Sequence, residues 1–133
     1  MAEEQYQIPI FLINGQLESG KTRFITETIE MGQFAEAKNK LLIVCEEGEE
    51  EYDPKMLEEN GIDMVVLEKE EFTSDRLSEL DKKYDPWLVI VEYNGMWEPS
   101  LIYETEKPRG WMVYQAITLF NAKQFGVQWA NMK

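Results

Sequence analysis

Short uninterrupted apolar runs alternate with stretches of helical spacing along this chain. Ile8 to Ile13 (IPIFLI) stops at Asn14-Gly15, and a run of that kind, bounded by turn residues, suits a strand buried on both faces of a parallel sheet. From Lys21 the period changes: Phe24, Ile25, Ile29 and Met31 recur at helical spacing and Gly32 follows, which predicts an amphipathic helix closed by a C-terminal glycine. Leu41 to Cys45 is a second apolar run. Asp53-Pro54 has the form of an N-cap with proline at the first helical position, starting a short helix to about Glu59 that Asn60-Gly61 ends. Met64 to Leu67 predicts a third strand. Thr73 or Ser74 caps a helix to about Tyr84 that buries Leu77, Leu80 and Tyr84, and Asp85-Pro86 breaks it. Trp87 to Val91 predicts a fourth strand ending in Glu92, and Ala116 to Phe120 a fifth. A last helix is expected from about Ala122 to the end, although Gly126 and β-branched Val127 disfavour it.

Strands that alternate with helices imply βαβ units, a mostly parallel sheet and helices on both faces. Ligands of such sheets bind at the carboxyl ends of the strands. Three stretches rich in polar or glycine residues, Gly15–Thr22, Glu46–Asp53 and Glu92–Gly95, each follow a strand end. The first is chemically explicit. Gly15-Gln16-Leu17-Glu18-Ser19-Gly20-Lys21-Thr22 matches the phosphate-loop pattern G-x-x-x-x-G-K-[ST] at every fixed position. The glycines let backbone N–H groups turn inward on phosphate oxygens, and the Lys21 ammonium reaches the β- and γ-phosphates. The Thr22 hydroxyl coordinates magnesium, and the helix it opens presents its positive end to the anion. Glu18 puts a carboxylate inside the loop, so it must point outward or pair with a base such as Arg23.

Composition narrows the rest. With 133 residues the chain has room for one domain and one core. The 44% hydrophobic and 29% charged composition, with 4 Trp, 6 Tyr and 6 Phe, is that of a globular protein. A net charge of −13 disfavours nucleic acid as a partner, while one lysine and a few oriented N–H groups still bind a nucleotide locally. One Cys and no His exclude an internal disulfide and a Cys/His zinc site within one subunit. The acidic start and the lack of a membrane-length apolar run lead us to expect a cytoplasmic protein without membrane contact.

Leu88-Val89-Ile90-Val91-Glu92-Tyr93-Asn94-Gly95 places an acid at a strand tip and a glycine three residues on. Beside a phosphate loop, that acid is a candidate to hold magnesium or its water, and the Gly95 N–H to sense the γ-phosphate. Alone, it is a surface glutamate that ends a strand. Here the chain resembles the CobW/HypB/UreG family of P-loop GTPases, and more closely its CobW-like members. Asn14 to Thr22 looks like the family's phosphate loop, Glu46-Glu47-Gly48-Glu49-Glu50-Glu51-Tyr52-Asp53 is similar to its acidic segment, and Glu92-Tyr93-Asn94-Gly95 with Pro99 resembles its E-x-x-G block.

That resemblance implies a Rossmann-like P-loop NTPase fold, a three-layer α/β sandwich with a mostly parallel sheet, of which residues 1–133 form the N-terminal portion, truncated on the C-terminal side. It implies GTP binding with magnesium and slow hydrolysis, in the service of delivering a metal ion or cofactor to a client metalloenzyme. Lys21 and Glu92 are the implied catalytic residues. Gly15, Gln16, Leu17, Glu18, Ser19, Gly20, Lys21, Thr22, Arg23 and Gly95 would contact nucleotide. Thr22 and Glu92, with Glu46 or Asp53 in a switch role, would face the metal. The family's C-x-C-C metal motif is not in this chain, where Cys45 is the only thiol, and Asn121-Ala122-Lys123-Gln124 is not the guanine-reading N-K-x-D. GTP and ATP therefore both stay open as the nucleotide, as do an ATP-dependent phosphotransferase and a non-catalytic nucleotide-binding module.

The run of five Glu among residues 46–51 reads either as a solvated loop or as a mobile switch. Asp53 reads most simply as a helix cap, and Cys45 as packing. Glu98 to Gly110 reads as an irregular loop flanked by Trp97 and Trp111, with core the default for both rings. Trp129 is a candidate to cover apolar surface where the chain ends; such surface, if bare, favours association, so a homodimer stays open.

Overall fold

The computed structural model describes residues 7–15, 20–45 and 51–119, together with the backbone of residues 129–132. Its elements in chain order are β1 (Ile8–Gly15), α1 (Lys21–Glu30), β2 (Lys40–Val44), α2 (Pro54–Glu59), β3 (Ile62–Val66), a single 3₁₀ turn (Lys69–Glu71), α3 (Ser74–Tyr84), β4 (Leu88–Glu92), α4 (Ser100–Glu104), β5 (Trp111–Leu119) and β6 (Trp129–Met132). The strands form one sheet in the order β3-β2-β4-β1-β5-β6. The first five strands run parallel, and β6 lies antiparallel on β5. The mostly parallel sheet is the one that the alternation of strands and helices implies, and the architecture is the α/β P-loop NTPase fold that the family resemblance implies.

Side chains alternate between the two faces of the sheet and build a core on each. On one face Ile10, Leu12, Leu41, Ile43, Val89 and Val91 pack under Leu77 and Leu80 of α3 and Ile102 of α4. On the other, Ile13, Leu42, Val44 and Ile90 pack under Ile25 and Ile29 of α1 and Met56 and Leu57 of α2. Each such side chain, fully buried, contributes about 1.5–3 kcal/mol of transfer free energy. Both central strands β2 and β4 are buried at every position, which is why they appear in the sequence as unbroken apolar runs rather than as alternation. Among the described residues no helix is long and apolar enough to cross a membrane.

The helix ends match their local chemistry. Asp53 accepts from the Lys55 N–H at 3.0 Å and Thr73 accepts from the Arg76 N–H at 3.2 Å, so both capping residues read from the sequence cap their helices. Gly61 ends α2 with φ +69°, and a Cβ there would meet the Lys38 carbonyl oxygen at 3.1 Å. Strain and crowding thus coincide. Gly61→Ala is expected to cost about 1–2 kcal/mol, read as a lowered melting temperature with unchanged far-UV circular dichroism.

Three expectations are corrected. The stretch 98–110 contains α4, a single helical turn or so that buries Ile102. Strand β5 begins at Trp111, five residues before the predicted Ala116. Its register on β1 shifts between Ile10 and Phe11, so the buried side of β5 reads Trp111, Val113, Ala116 instead of keeping a period of two, and the alternation signal is lost. Backbone pairing with β1 carries the exposed Met112 and Tyr114 into the strand. The helix expected from Ala122 to the end is replaced at residues 129–132 by β6, whose backbone pairs with Ala116 to Leu119; an otherwise open sheet edge outweighs a weak helical propensity. The remainder of that predicted helix, residues 122–128 and 133, lies outside the described residues, as does Phe120.

Candidate nucleotide site

The periodicity that buries α1 also aims its first residue. Lys21, Ile25 and Ile29 lie on one stripe at i, i+4 and i+8, and all three are buried. A lysine at the first position of such a stripe has its stem in the core and its amine under the turn that precedes the helix. Lys21 is 4% exposed, and its Nζ donates to the Gly15 carbonyl oxygen at 2.6 Å. The lysine therefore bridges the two glycines' ends of the loop, from the start of α1 back to the end of β1.

Gly20 is the N-cap of α1 with φ +93°, a left-handed conformation that side chains disfavour, and it has no side chain to satisfy the first-turn N–H groups. In contrast to α2 and α3, α1 has no side-chain cap at its start, and a helix N-terminus is where the dipole favours an anion. Gln16, Leu17, Glu18 and Ser19 lie outside the described residues. Arg23 is exposed on α1.

The alternation of β4 does for Glu92 what the helical stripe does for Lys21. Leu88 and Ile90 face α1 and α2, and Glu92, two residues further on, faces the same way at the strand tip. Its Cα pairs with those of Ile13 on β1 and Val44 on β2, so the carboxylate stands in the middle of the sheet's carboxyl edge, only 3% exposed. Thr22 Oγ1 donates to it, 3.2 Å from Oε1 and 3.1 Å from Oε2. Tyr52 Oη also donates to Oε1, at 2.5 Å. Burial, then the Glu92 charge, hold the Tyr52 phenol far above its ordinary pKa, so it stays a neutral donor.

Of the residues singled out from the sequence, Gly15, Gly20, Lys21, Thr22 and Glu92 converge at the ends of β1 and β4 and the start of α1. Asp53 is exposed and engaged as the cap of α2, and Glu46 lies outside the described residues. Gly95 sits on an exposed turn after β4. That turn is pinned by Asn94, which accepts from the Met96 N–H at 2.8 Å and donates to the Cys45 carbonyl at 3.3 Å. Below it Tyr93 donates to the Glu98 carbonyl at 2.6 Å, its phenol pushed up to about 12 chiefly by burial, and Phe72, Tyr93 and Trp97 meet edge to face. Cys45 is buried, as its place at a strand end suggested.

Sequence reasoning missed Tyr52. The signal was faint: one aromatic between the glutamate run and a helix cap. Its function at the site depends on the docking of α2 through Met56 and Leu57, which no local pattern states.

The donor set fits a small hard cation carried by phosphate. A threonine hydroxyl beside a buried carboxylate supplies oxygen ligands, and among the described residues no group of three His, Cys, Asp or Glu could form an all-protein cage. Magnesium is typically held in this way, by one or two protein oxygens together with phosphate oxygens.

A parallel sheet, a glycine-bounded loop at the end of β1, a buried lysine at the following helix and an acid at the tip of β4 define a P-loop nucleotide-binding domain. The model of the CobW/HypB/UreG nucleotide-binding domain matches residues 9–128, and the chain belongs to that family. No curated protein and no solved structure matches it.

Proposed function

We propose that this domain binds GTP with magnesium and hydrolyses it slowly, as a nucleotide-dependent switch of the CobW-like metallochaperone type that contacts a client metalloenzyme. The observation that carries the reading is the pairing of Thr22, next in sequence to buried Lys21, with the buried Glu92 carboxylate. In this reading Lys21 exchanges the Gly15 carbonyl for β- and γ-phosphate oxygens, a charge-assisted bond replacing a weaker one. The N–H groups at the start of α1 take the remaining phosphate charge. Thr22 and Glu92 would hold magnesium, which neutralises charge on the β- and γ-oxygens when bound.

Hydrolysis forms a bond from a water oxygen to the γ-phosphorus and breaks the bond from that phosphorus to the β,γ-bridging oxygen. The nucleoside diphosphate leaves, and the water's proton passes to the phosphate released. Glu92 would orient the magnesium or its bound water, and Lys21 stabilises the charge that develops on the phosphate oxygens. GTP is preferred over ATP in this proposal by family membership alone. The test is competition of labelled GTP and ATP in the presence of magnesium, followed by single-turnover hydrolysis. A clear preference for ATP would move the chain to a phosphotransferase reading. Tight binding without any turnover would make it a non-catalytic regulatory module.

A further inference from the structure

The Tyr52 hydroxyl shares the Glu92 carboxylate with Thr22. It donates to Oε1 at 2.5 Å, on the carboxylate that also accepts from Thr22 Oγ1. The ring is nine-tenths buried, wedged where α2 meets the sheet, and it packs with Met56 and Leu57 in the core that α1 and α2 share. Its backbone is the residue directly before the Asp53 cap of α2. The hydroxyls of Thr22 and Tyr52 thus both direct their protons at the Glu92 carboxylate.

A divalent cation competes with that arrangement. Magnesium requires a near-octahedral shell of oxygens at about 2.0–2.1 Å; a neutral phenol is a poor ligand for it, and the phenol's proton occupies the carboxylate oxygen the ion would use. An O–H donor bound to a carboxylate is among the stronger hydrogen bonds, so a cation alone gains too little to break it. A cation that arrives with triphosphate oxygens brings most of its own shell and has that deficit covered.

We propose that Tyr52 is a positioning residue that keeps the Thr22–Glu92 pair closed to a free divalent cation, its hydroxyl leaving Glu92 when the cation enters together with a triphosphate. The inference rests on Thr22 and Glu92 being the cation-holding groups. It makes cation and nucleotide binding interdependent, and it hands the change to α2, because the phenol that moves belongs to the residue that leads into that helix.

Tyr52→Phe keeps the ring and its packing and removes only the hydroxyl. Calorimetric GTP titrations of wild type and variant across a magnesium series are expected to show the half-saturating magnesium concentration falling about fivefold or more in the variant. In EDTA the two affinities should agree within about twofold. An unchanged or raised magnesium requirement overturns the role of Tyr52 alone. Absence of GTP and ATP binding by the wild type overturns the nucleotide reading as well. Hydrogen exchange on the wild type provides a second measurement that does not depend on the variant folding. Amides of Tyr52 and the first turn of α2 should exchange faster once magnesium and a non-hydrolysable triphosphate are added together, and not with magnesium alone. Unchanged or slowed exchange overturns the proposal.

Discussion

Lys21→Ala is expected to weaken magnesium–triphosphate binding by about 100-fold or more, about 2.7 kcal/mol, while the domain stays folded. Among the described residues of the β1–α1 turn the Lys21 ammonium is the buried charge, and its stem lies on the same stripe as Ile25 and Ile29. Truncation leaves that stripe's two isoleucines in place. The Gly15 carbonyl loses a hydrogen bond of 2.6 Å, worth about 1 kcal/mol net against a typical domain stability of about 5–15 kcal/mol. Calorimetry with GTP and with ATP reads the first effect, and a thermal melt reads the second. If the variant binds either nucleotide as well as the wild type does, the loop does not grip a triphosphate and the proposed function falls. If the variant unfolds instead, Lys21 is a structural residue whose amine serves the β1–α1 turn.

Much of this site could be seen in the sequence because it is made of local patterns. Gly15, Gly20, Lys21 and Thr22 are fixed within one turn and one helix start, where spacing alone dictates geometry. Glu92 could be seen for a related reason: an apolar strand buried on both faces ends in an acid, and the position of β4 between β1 and β2 puts that acid at the centre of the carboxyl edge. Tyr52 could not be seen in that way. It meets Glu92 across forty positions of sequence, by virtue of how α2 docks, and docking is decided by Met56, Leu57 and the sheet together rather than by the residues around Tyr52. The same distinction separates the strands found from those misplaced. The runs in β2 and β4 are self-evident because every position is buried. Strand β5 carries a register shift that breaks its alternation, and β6 has four residues whose reason to be extended is the free edge of β5. Tertiary pairing outweighed local propensity there.

The second large effect concerns the acid. Glu92→Gln is expected to bind magnesium–triphosphate within about threefold of wild type and to hydrolyse it about 100-fold more slowly. Glutamine has the shape of glutamate, so the space between Thr22 and Tyr52 stays filled. Its carbonyl oxygen still accepts from one of the two hydroxyls, and its amide N–H can donate to the oxygen of the other, since hydroxyls rotate to either role. One hydroxyl keeps its acceptor and the other must turn its proton elsewhere, while loss of a carboxylate that is 3% exposed removes a desolvation cost that offsets this. Glu92→Ala differs in kind: it takes the acceptor from the buried Tyr52 hydroxyl, at about 1–3 kcal/mol, and from half-buried Thr22, and confounds chemistry with folding. Single-turnover hydrolysis, with affinity and melting temperature measured on the same preparations, separates the outcomes. Slow turnover with wild-type affinity and an equal or higher melting temperature assigns the Glu92 charge to the chemical step. Wild-type turnover in the glutamine variant reduces Glu92 to the acid that ends a strand and anchors Thr22 and Tyr52.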